Sequence, residues 1–417
     1  MRTEAHLTVP RLRVVRPDEV PPAVARARAV RSLRRSVTML TLSTFALTVV
    51  GVVMVLSASS VSSFAQYGSS FLFFKRQLIY AVIGAVVAVA ASRLDYRAWR
   101  RAWPALTAVT AVLLILVLHP STGQIVGGSA RWISFGPVTL QPSELAKFTV
   151  VTAGAALLAA NYRHLKDPVR LALPLMAVVG PLALLIMLQP DLGTTMVVVA
   201  IVLVLLFVVG VRLRLLVSTC MVGLIAGMGL ILSAGYRRTR FLSFLHPWAD
   251  PRNSGYQIVQ SLIALGSGHW VGVGLGASRQ KWMFVPNAHT DFIFSILGEE
   301  TGLIGELIVI ALFGAFIYAG IRIAIRAPDT FGRLLAAGIV GWLSFQAIVN
   351  MGAVTGLLPI TGIPLPFMSY GGSSLIVSLV AVGVLHAIGR AGLADLGAGR
   401  IRSGGGRRAA APVSSNA

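Results

Sequence analysis

The chain has 417 residues, of which 56% are hydrophobic and only 12% are charged. Soluble domains carry about 25% charged residues, so this composition excludes an ordinary water-soluble protein. A net charge of +22 would suit a nucleic-acid-binding protein, but the distribution of that charge indicates a membrane protein with no nucleic-acid partner.

Long charge-free stretches divide the chain into candidate spanning helices. Residues 37–74 and 334–389 contain no Asp, Glu, Lys or Arg, and a spanning helix needs about 20 apolar residues. The sequence therefore predicts an all-α integral membrane protein with about ten transmembrane helices and a large extracytoplasmic loop, 235–300, between helices 7 and 8. The predicted spans are 37–59, 77–92, 103–119, 144–160, 171–189, 192–210, 214–234, 301–321, 334–354 and 371–389.

The arginines and lysines predict the orientation of these spans. With both termini in the cytoplasm, the inner segments hold 26 of the 36 Lys and Arg residues, as the positive-inside rule requires. Residues 37–390 are then the membrane domain. The Arg-rich segments 1–36 and 391–417 are expected to be disordered cytoplasmic tails that lie against anionic membrane lipids.

The first unusual outer loop covers residues 120–143 and leads into the fourth span. Arg131 stands beside Trp132, a pair that suits either an interfacial anchor or a phosphate-binding group. Glu144 and Lys147 lie three residues apart, so they share one helix face near the membrane edge. They form either a structural ion pair or a functional pair, because ionisable groups at that depth are functional candidates.

The long loop carries a cluster of cations and one short amphipathic segment. Anionic lipid headgroups or an anionic substrate would each account for these cations, which include Arg237, Arg240, Arg279 and Lys281. Residues 256–265 are apolar with two glutamines three apart, which predicts a helix along the membrane interface and makes Gln257 a candidate substrate contact.

Asp291 is the candidate general base of the chain. It is followed directly by Phe292, Ile293 and Phe294, and loss of hydration against such a surface raises the pKa of a carboxyl toward the working range of a base. The alternative is that Asp291 caps a helix. Glu299 and Glu300 would pair with loop arginines, or with Asp291 would hold a divalent cation such as Mg²⁺ or Mn²⁺.

Residues 358–374 contain Pro359, Pro364 and Pro366, which cannot continue a helix. Irregular backbone at a membrane is tolerated where protein or a water-filled cavity covers it. We therefore expect this segment to line the same outer cavity, with Ser369 and Ser373 as hydrogen-bond donors to a substrate.

Five blocks of this sequence resemble the SEDS family of cell-wall polymerases, which includes FtsW, RodA and SpoVE. They are GGSARWISFGPVTLQPSELAKF, QPDLGTTMV, HPWADP with GYQIVQSLIALGSG, GLGASRQKWMFVPNAHTDFIFSILGEETGLIGE and LLPITGIPLPFMSYGGSSL, which lie in this order between residues 127 and 375. The stretch LGASRQK looks more like the FtsW branch than the RodA branch, whereas His269 departs from the family's usual GSGGW.

The resemblance implies a peptidoglycan glycosyltransferase that polymerises lipid II at the outer face of the bacterial cytoplasmic membrane. It also implies a class B penicillin-binding protein as transpeptidase partner, together with other divisome proteins at the division septum. The family's essential aspartate falls on Asp291, its Glu/Lys pair on Glu144 and Lys147, and its loop arginine on Arg131.

Two other functions remain open at this stage. A lipid flippase or transporter would place polar groups along a path through the membrane midplane, whereas the polar groups here gather near one face. A non-catalytic scaffold that recruits the transpeptidase would leave the acid, the cations and the outer cavity unexplained. Division, elongation and sporulation roles are not separated by the residues themselves.

Overall fold

A computed structural model describes residues 22–126, 129–135, 138–162, 167–232 and 235–402. It confirms the predicted class, a multi-pass bundle of apolar helices. The helices are α1 Pro22–Tyr67, α2 Leu72–Arg93, α3 Trp99–Leu118, α4 Pro142–Ala160, α5 Pro168–Leu188, α6 Leu192–Val209, α7 Leu213–Leu232, α8 Gly235–Leu245, α9 Tyr256–Ser267, α10 Ile293–Ile325, α11 Thr330–Val354 and α12 Gly372–Arg402.

Nine helices within the described ranges are long and apolar enough to cross a membrane: α1 to α6 and α10 to α12. The remaining predicted span, 214–234, corresponds to α7, whose described apolar part is shorter. The helix ends follow ordinary local chemistry. Asp191 caps α6 by accepting a hydrogen bond from the Thr194 backbone, and Pro142 occupies the first turn of α4, where no backbone donor is needed.

Both ends of the membrane domain differ from the prediction. The first helix begins at Pro22 and the last continues to Arg402, so residues 22–36 and 391–402 extend spanning helices and are not coil. These segments are rich in Ala, Leu and Arg, which are strong helix formers. Residues 1–21 and 403–417, the outer parts of the two predicted tails, lie outside the described residues.

The loop before α4 contains a small sheet that the all-α prediction missed. Strands β1 Gly123–Val126, β2 Ser129–Phe135 and β3 Val138–Leu140 form an antiparallel sheet in the order β1-β2-β3. The sequence signal was present, since short runs with β-branched and aromatic residues alternate with the pairs Gly127-Gly128 and Gly136-Pro137. The sheet lies against the end of α3 and the start of α4.

The central helix of the bundle is α4. Most of its residues are buried, and it packs against α3, α5, α6 and α11. The starts of α4, α6, α10 and α12 meet at one end of the bundle, together with the segment that joins α11 to α12. We call this the loop end.

The span predicted at 301–321 begins earlier than expected. Helix α10 starts at Ile293, and Gly302 interrupts it with non-helical backbone (φ 66°, ψ −170°). The sequence placed the boundary at the break, because Glu299 and Glu300 are charges typical of a loop. Both are buried in the structure, so the last part of the predicted loop is a helical turn inside the protein.

Candidate active site

Asp291 lies at the loop end, two residues before the start of α10. Its side chain is half-buried, whereas Phe292, Ile293 and Phe294 are buried, so the carboxylate does border an apolar surface. The helix-cap position is taken by Phe292, which makes no capping hydrogen bond with its side chain. Asp291 therefore stands one residue before the helix cap.

Asn350 on α11 fixes the backbone of Asp291. Its Nδ2 donates hydrogen bonds to the carbonyl oxygens of Asp291 and Ile363, each at 2.8 Å. The Asp291 carboxylate oxygen Oδ2 lies 3.7 Å from the point that a Cβ on Gly362 would occupy. The side-chain amide of Asn350 thus holds Asp291 against residues 358–374, the proline-rich segment between α11 and α12.

A narrow cleft opens beside this carboxylate. It is lined by Asp291, Asn350, Thr361, Gly362 and their apolar neighbours. The side-chain oxygens Asn350 Oδ1 and Thr361 Oγ1 are buried and have no hydrogen-bond partner among the described residues. Buried polar atoms without a partner are uncommon in proteins and indicate a place where a polar ligand or water binds. The volume is about 10 Å³, room for about one water, so a sugar can meet Asp291 only from its exposed side.

Ser369 holds the other side of the Asp291 loop. Its Oγ donates to the Thr290 carbonyl at 2.6 Å and accepts from the Leu365 backbone at 2.8 Å, while Gln77 of α2 donates to its carbonyl. Ser373 Oγ accepts a hydrogen bond from the Gln141 backbone at the start of α4. Both serines were predicted as substrate donors, and the structure shows them buried, with Ser369 bound to the Asp291 loop and Ser373 joining the starts of α12 and α4.

His289 completes the packing two residues before Asp291. Its ring stacks on Phe73 with 4.9 Å between ring centroids, and its carbonyl accepts a hydrogen bond from the Tyr370 backbone. Burial lowers the pKa of His289 to about 4, since the charged form loses hydration. The ring is therefore neutral at physiological pH.

Glu144 and Lys147 form a buried ion pair in the first turns of α4. Lys147 Nζ lies 2.8 Å from Glu144 Oε1 and 3.0 Å from Gln346 Oε1, and each charged side chain is about 1% exposed. Lys147 Nζ also lies 5.6 Å from the centre of the Trp342 ring. Glu144 Oε2 is buried with no partner among the described residues. The pair therefore faces the interior between α4 and α11 and is closed to solvent.

Arg131 binds backbone carbonyls of the turn between α5 and α6. Its Nε donates to Gln189 at 3.1 Å and its Nη2 donates to Pro190 at 2.6 Å. Gln189 in turn donates to the Leu114 carbonyl at the end of α3. Arg131 thus joins the sheet to the bundle, and its half-buried guanidinium is partly occupied by protein acceptors.

The break in α10 is filled by backbone from the long loop. Leu303 and Ile304 donate hydrogen bonds to the carbonyls of His269 and Trp270, while Val273 and Gly274 donate to those of Glu299 and Glu300. A Cβ on Gly302 would lie 2.4 Å from the Gly272 nitrogen, closer than such atoms can approach. The glycines of this loop therefore let two backbones cross.

Glu299 and Glu300 are held by the same loop. Glu299 accepts hydrogen bonds from the Ser278 hydroxyl and the Arg279 backbone. Glu300 accepts from Ser57 on α1 and pairs with Lys281 at 3.7 Å. Lys281 is itself 7% exposed, so it neutralises a buried glutamate. Nowhere in the described ranges do three or more His, Cys, Asp or Glu residues cluster as metal ligands.

Two other predicted contacts have side chains that are more exposed than these buried pairs. Arg279 is exposed, and Gln257 is half-exposed on α9. That helix coincides with the predicted interfacial segment, and it is anchored by Ser261, whose Oγ donates to the Val354 carbonyl. Arg237 and Arg240 belong to α8, but their side chains lie outside the described residues.

Three polar residues at the loop end were missed by the sequence analysis. They are Gln77, Gln346 and Asn350, all buried within apolar spans. A further missed cation is Arg76, which hydrogen-bonds Tyr370. The available signal was the presence of single amides inside otherwise apolar helices, where polar groups are costly and need partners.

Comparison with known proteins finds a matching protein family and similar relatives. Residues 37–392 match the family model FTSW_RODA_SPOVE, described as cell cycle protein. Stage V sporulation protein E of Bacillus subtilis is 44% identical over 84% of this chain and 96% of its own length. The probable peptidoglycan glycosyltransferase FtsW of Geobacter metallireducens is 43% identical over 85% and 95% of the two chains.

Solved structures show the same arrangement of helices. A chain of a peptidoglycan synthase complex, described as coordinating polymerization and crosslinking, superposes with a TM-score of 0.68 at 30% identity, covering 84% of this chain and 96% of the other. The rod shape determining protein RodA of Thermus thermophilus gives a TM-score of 0.61 at 28% identity, with coverage of 84% and 95%.

Proposed function

This chain belongs to the FtsW, RodA and SpoVE family of cell cycle proteins, and from that premise we propose that it is a peptidoglycan glycosyltransferase. Several relatives about 42–43% identical carry that activity in their names. We further propose that the substrate is lipid II, a disaccharide-pentapeptide on undecaprenyl diphosphate. A multi-pass membrane protein suits a substrate that stays anchored in the bilayer.

The setting of Asp291 is the observation that carries this proposal. It is a half-buried carboxylate on an apolar surface, fixed by Asn350 and bordered by buried oxygens that have no hydrogen-bond partner among the described residues. Such a carboxylate is suited to accept a proton from a bound hydroxyl. The buried ion pairs of the described residues, Glu144–Lys147 and Glu300–Lys281, hold the elements around this end in place.

In the proposed reaction Asp291 accepts the proton of the acceptor sugar's 4-hydroxyl. The hydroxyl oxygen forms a bond to the anomeric carbon of the donor, and the bond from that carbon to the diphosphate oxygen breaks. The diphosphate leaves with the electron pair. Exposed or half-exposed cations of the loop end, such as Arg76 and Arg279, are suited to offset its charge.

The position of the polar groups favours surface chemistry over transport. The buried ion pairs and the amides Gln77, Gln346 and Asn350 contact the loop segments or the first turns of the helices that start there. A translocation path would need polar groups at the membrane midplane. An enzyme acting at one membrane face needs them where they are found.

We propose that the loop end faces outward and that both termini are cytoplasmic, because the cationic segments lie at the opposite end. A class B penicillin-binding protein is the proposed transpeptidase partner, within the divisome at the septum. Similarity to a sporulation protein makes spore wall synthesis the second candidate for the cellular role.

Reconstitution with fluorescent lipid II tests the activity against its rivals. The purified protein is incubated with and without its transpeptidase partner, and products are separated on a gel. The proposal predicts a ladder of glycan strands that depends on this chain. A transporter would move lipid II between liposome leaflets without forming strands, and a scaffold would do neither. Either result would contradict the proposal.

A further inference from the structure

A groove of about 680 Å³ lies between α1 and α10, far from Asp291. The two helices run antiparallel, because Ser57 of α1 contacts Glu300 at the loop end while Ser32 accepts a hydrogen bond from Arg322 near the end of α10. The groove occupies the part of α1 between Arg31 and Ala46. It therefore opens at the end of the bundle opposite the loop end, and its size is typical of small-molecule sites, roughly 300–1,000 Å³.

The groove changes from cationic to apolar along its length. Arg31, Arg34 and Arg35 stand at its mouth, and residues spaced by three or four positions continue the same face of α1. These three arginines are exposed and have no ion-pair partner within the described ranges. The apolar part is lined by Met39, Leu42, Phe45, Ala46, Leu312 and Ala315.

The depth of the apolar part matches one leaflet of a bilayer. From Arg35 to Phe45 the helix rises about 15 Å, at about 1.5 Å per residue. The hydrocarbon core is about 30 Å thick, so one leaflet is about 15 Å deep. A partner's spanning helix would need a groove along the whole core, whereas an acyl chain needs only this half.

We propose that this groove binds one anionic glycerophospholipid. The phosphate of its headgroup lies among Arg31, Arg34 and Arg35, and an acyl chain packs against Leu42, Phe45 and Leu312. Basic pockets at the membrane surface between spanning helices are suited to such headgroups. Because the groove is formed by both α1 and α10, the bound lipid favours their packed arrangement.

Native mass spectrometry of the full-length protein in neutral detergent tests this site. The protein is titrated with dioleoyl phosphatidylglycerol or with dioleoyl phosphatidylcholine, which has the same chains but no net charge. We expect one tight site that prefers phosphatidylglycerol by at least about tenfold. The triple variant R31Q/R34Q/R35Q should bind on the order of 100-fold more weakly, given roughly tenfold or less for each arginine.

Two further variants distinguish a specific lipid site from nonspecific electrostatic attraction of the lipid to the protein. R93Q/R100Q/R101Q removes three exposed arginines at the same end of the bundle but outside the groove, and it should bind as the unmodified protein does. Ala315→Trp keeps every charge but fills the groove, and it should lose the site. Thermal unfolding of each variant checks that it is folded.

Three results would overturn the proposal. They are equal binding of the two lipids by the unmodified protein, retention of the site by R31Q/R34Q/R35Q, and equal loss in both triple variants. The last result would show that net charge alone attracts the lipid. The first would leave the groove to another occupant, such as a helix of a partner protein.

Discussion

Removing Lys147 alone from the buried pair Glu144–Lys147 should destabilise the protein far more than removing both charges. Loss of one partner from a buried ion pair costs about 3–5 kcal/mol, whereas replacing both groups is often nearly neutral. Lys147→Met leaves Glu144 with neither oxygen bound, because its Oε2 already has no partner in the described structure. We therefore expect this variant near the upper end of that range, at about 4–5 kcal/mol.

Glu144→Gln should cost less, because Lys147 keeps its hydrogen bond to Gln346 and its contact with the Trp342 ring. We expect about 2–3 kcal/mol for this variant, and about 1–2 kcal/mol for the double variant E144Q/K147M. The predicted coupling energy of the double-mutant cycle is therefore about 4 kcal/mol or more.

Equilibrium unfolding by SDS in mixed micelles, followed by circular dichroism, measures these free energies. The exposed pair Asp167–Arg170 has the same three-residue spacing, with side chains 45% and 69% exposed, and its cycle should give only about 0–0.5 kcal/mol. Additive effects at Glu144 and Lys147 would refute the buried pair. If E144Q/K147M recovers stability but does not polymerise lipid II, the pair has a role in the reaction.

Three further substitutions test the surroundings of Asp291. Gly302→Ala should destabilise the protein by at least about 1–3 kcal/mol, because its backbone has a positive φ and a Cβ would clash. Gly314→Ala in the same helix, where a Cβ meets nothing, should be neutral or stabilising. Equal effects of the two substitutions would contradict the close crossing of backbones at Gly302. Burial lowers the pKa of His289 to about 4, so as the pH falls the unfolded chain binds a proton before the folded protein does. The contribution of His289 to the free energy of unfolding should be fully present above pH 6.5 and should fall by up to about 3 kcal/mol toward pH 4. His289→Phe should remove that part of the pH dependence of the unfolding midpoint, and an unchanged profile would be evidence against a buried neutral ring. Asn350→Leu loses two hydrogen bonds to carbonyls, so it should lower the free energy of unfolding by about 1–3 kcal/mol. It should also lower the polymerisation rate at temperatures where the variant remains folded. A normal rate would show that Asn350 does not position Asp291.

The spanning helices could be predicted because the bilayer imposes a length and a composition on each of them. Local sequence carries that information, so nine helices of the described ranges, and α7 with them, lie close to the predicted spans. The error at the start of α10 has a physical cause. Glu299 and Glu300 look like loop charges, yet Ser57, Ser278 and Lys281 satisfy them from distant parts of the chain.

The candidate site was predicted unevenly for a related reason. Asp291 is conspicuous because a lone carboxylate precedes an apolar run, and its role as base stays a prediction. Asn350 was missed, since its partners Asp291 and Ile363 become neighbours only when α11, α10 and the proline-rich segment pack together. Ser369 and Ser373 were predicted as donors to a substrate, whereas their hydroxyls bind backbone groups of the protein, because the direction of a hydroxyl depends on the fold.

The rate of glycan polymerisation by Asp291→Asn tests the central claim most directly. Asparagine keeps the shape of the side chain and removes its capacity to accept a proton. With the transpeptidase partner present and the variant shown to be folded, the rate should fall about 10²–10⁴-fold. The control Asp167→Asn, which changes a partly exposed aspartate outside the site, should polymerise at the unmodified rate. A near-normal rate for Asp291→Asn would contradict the account.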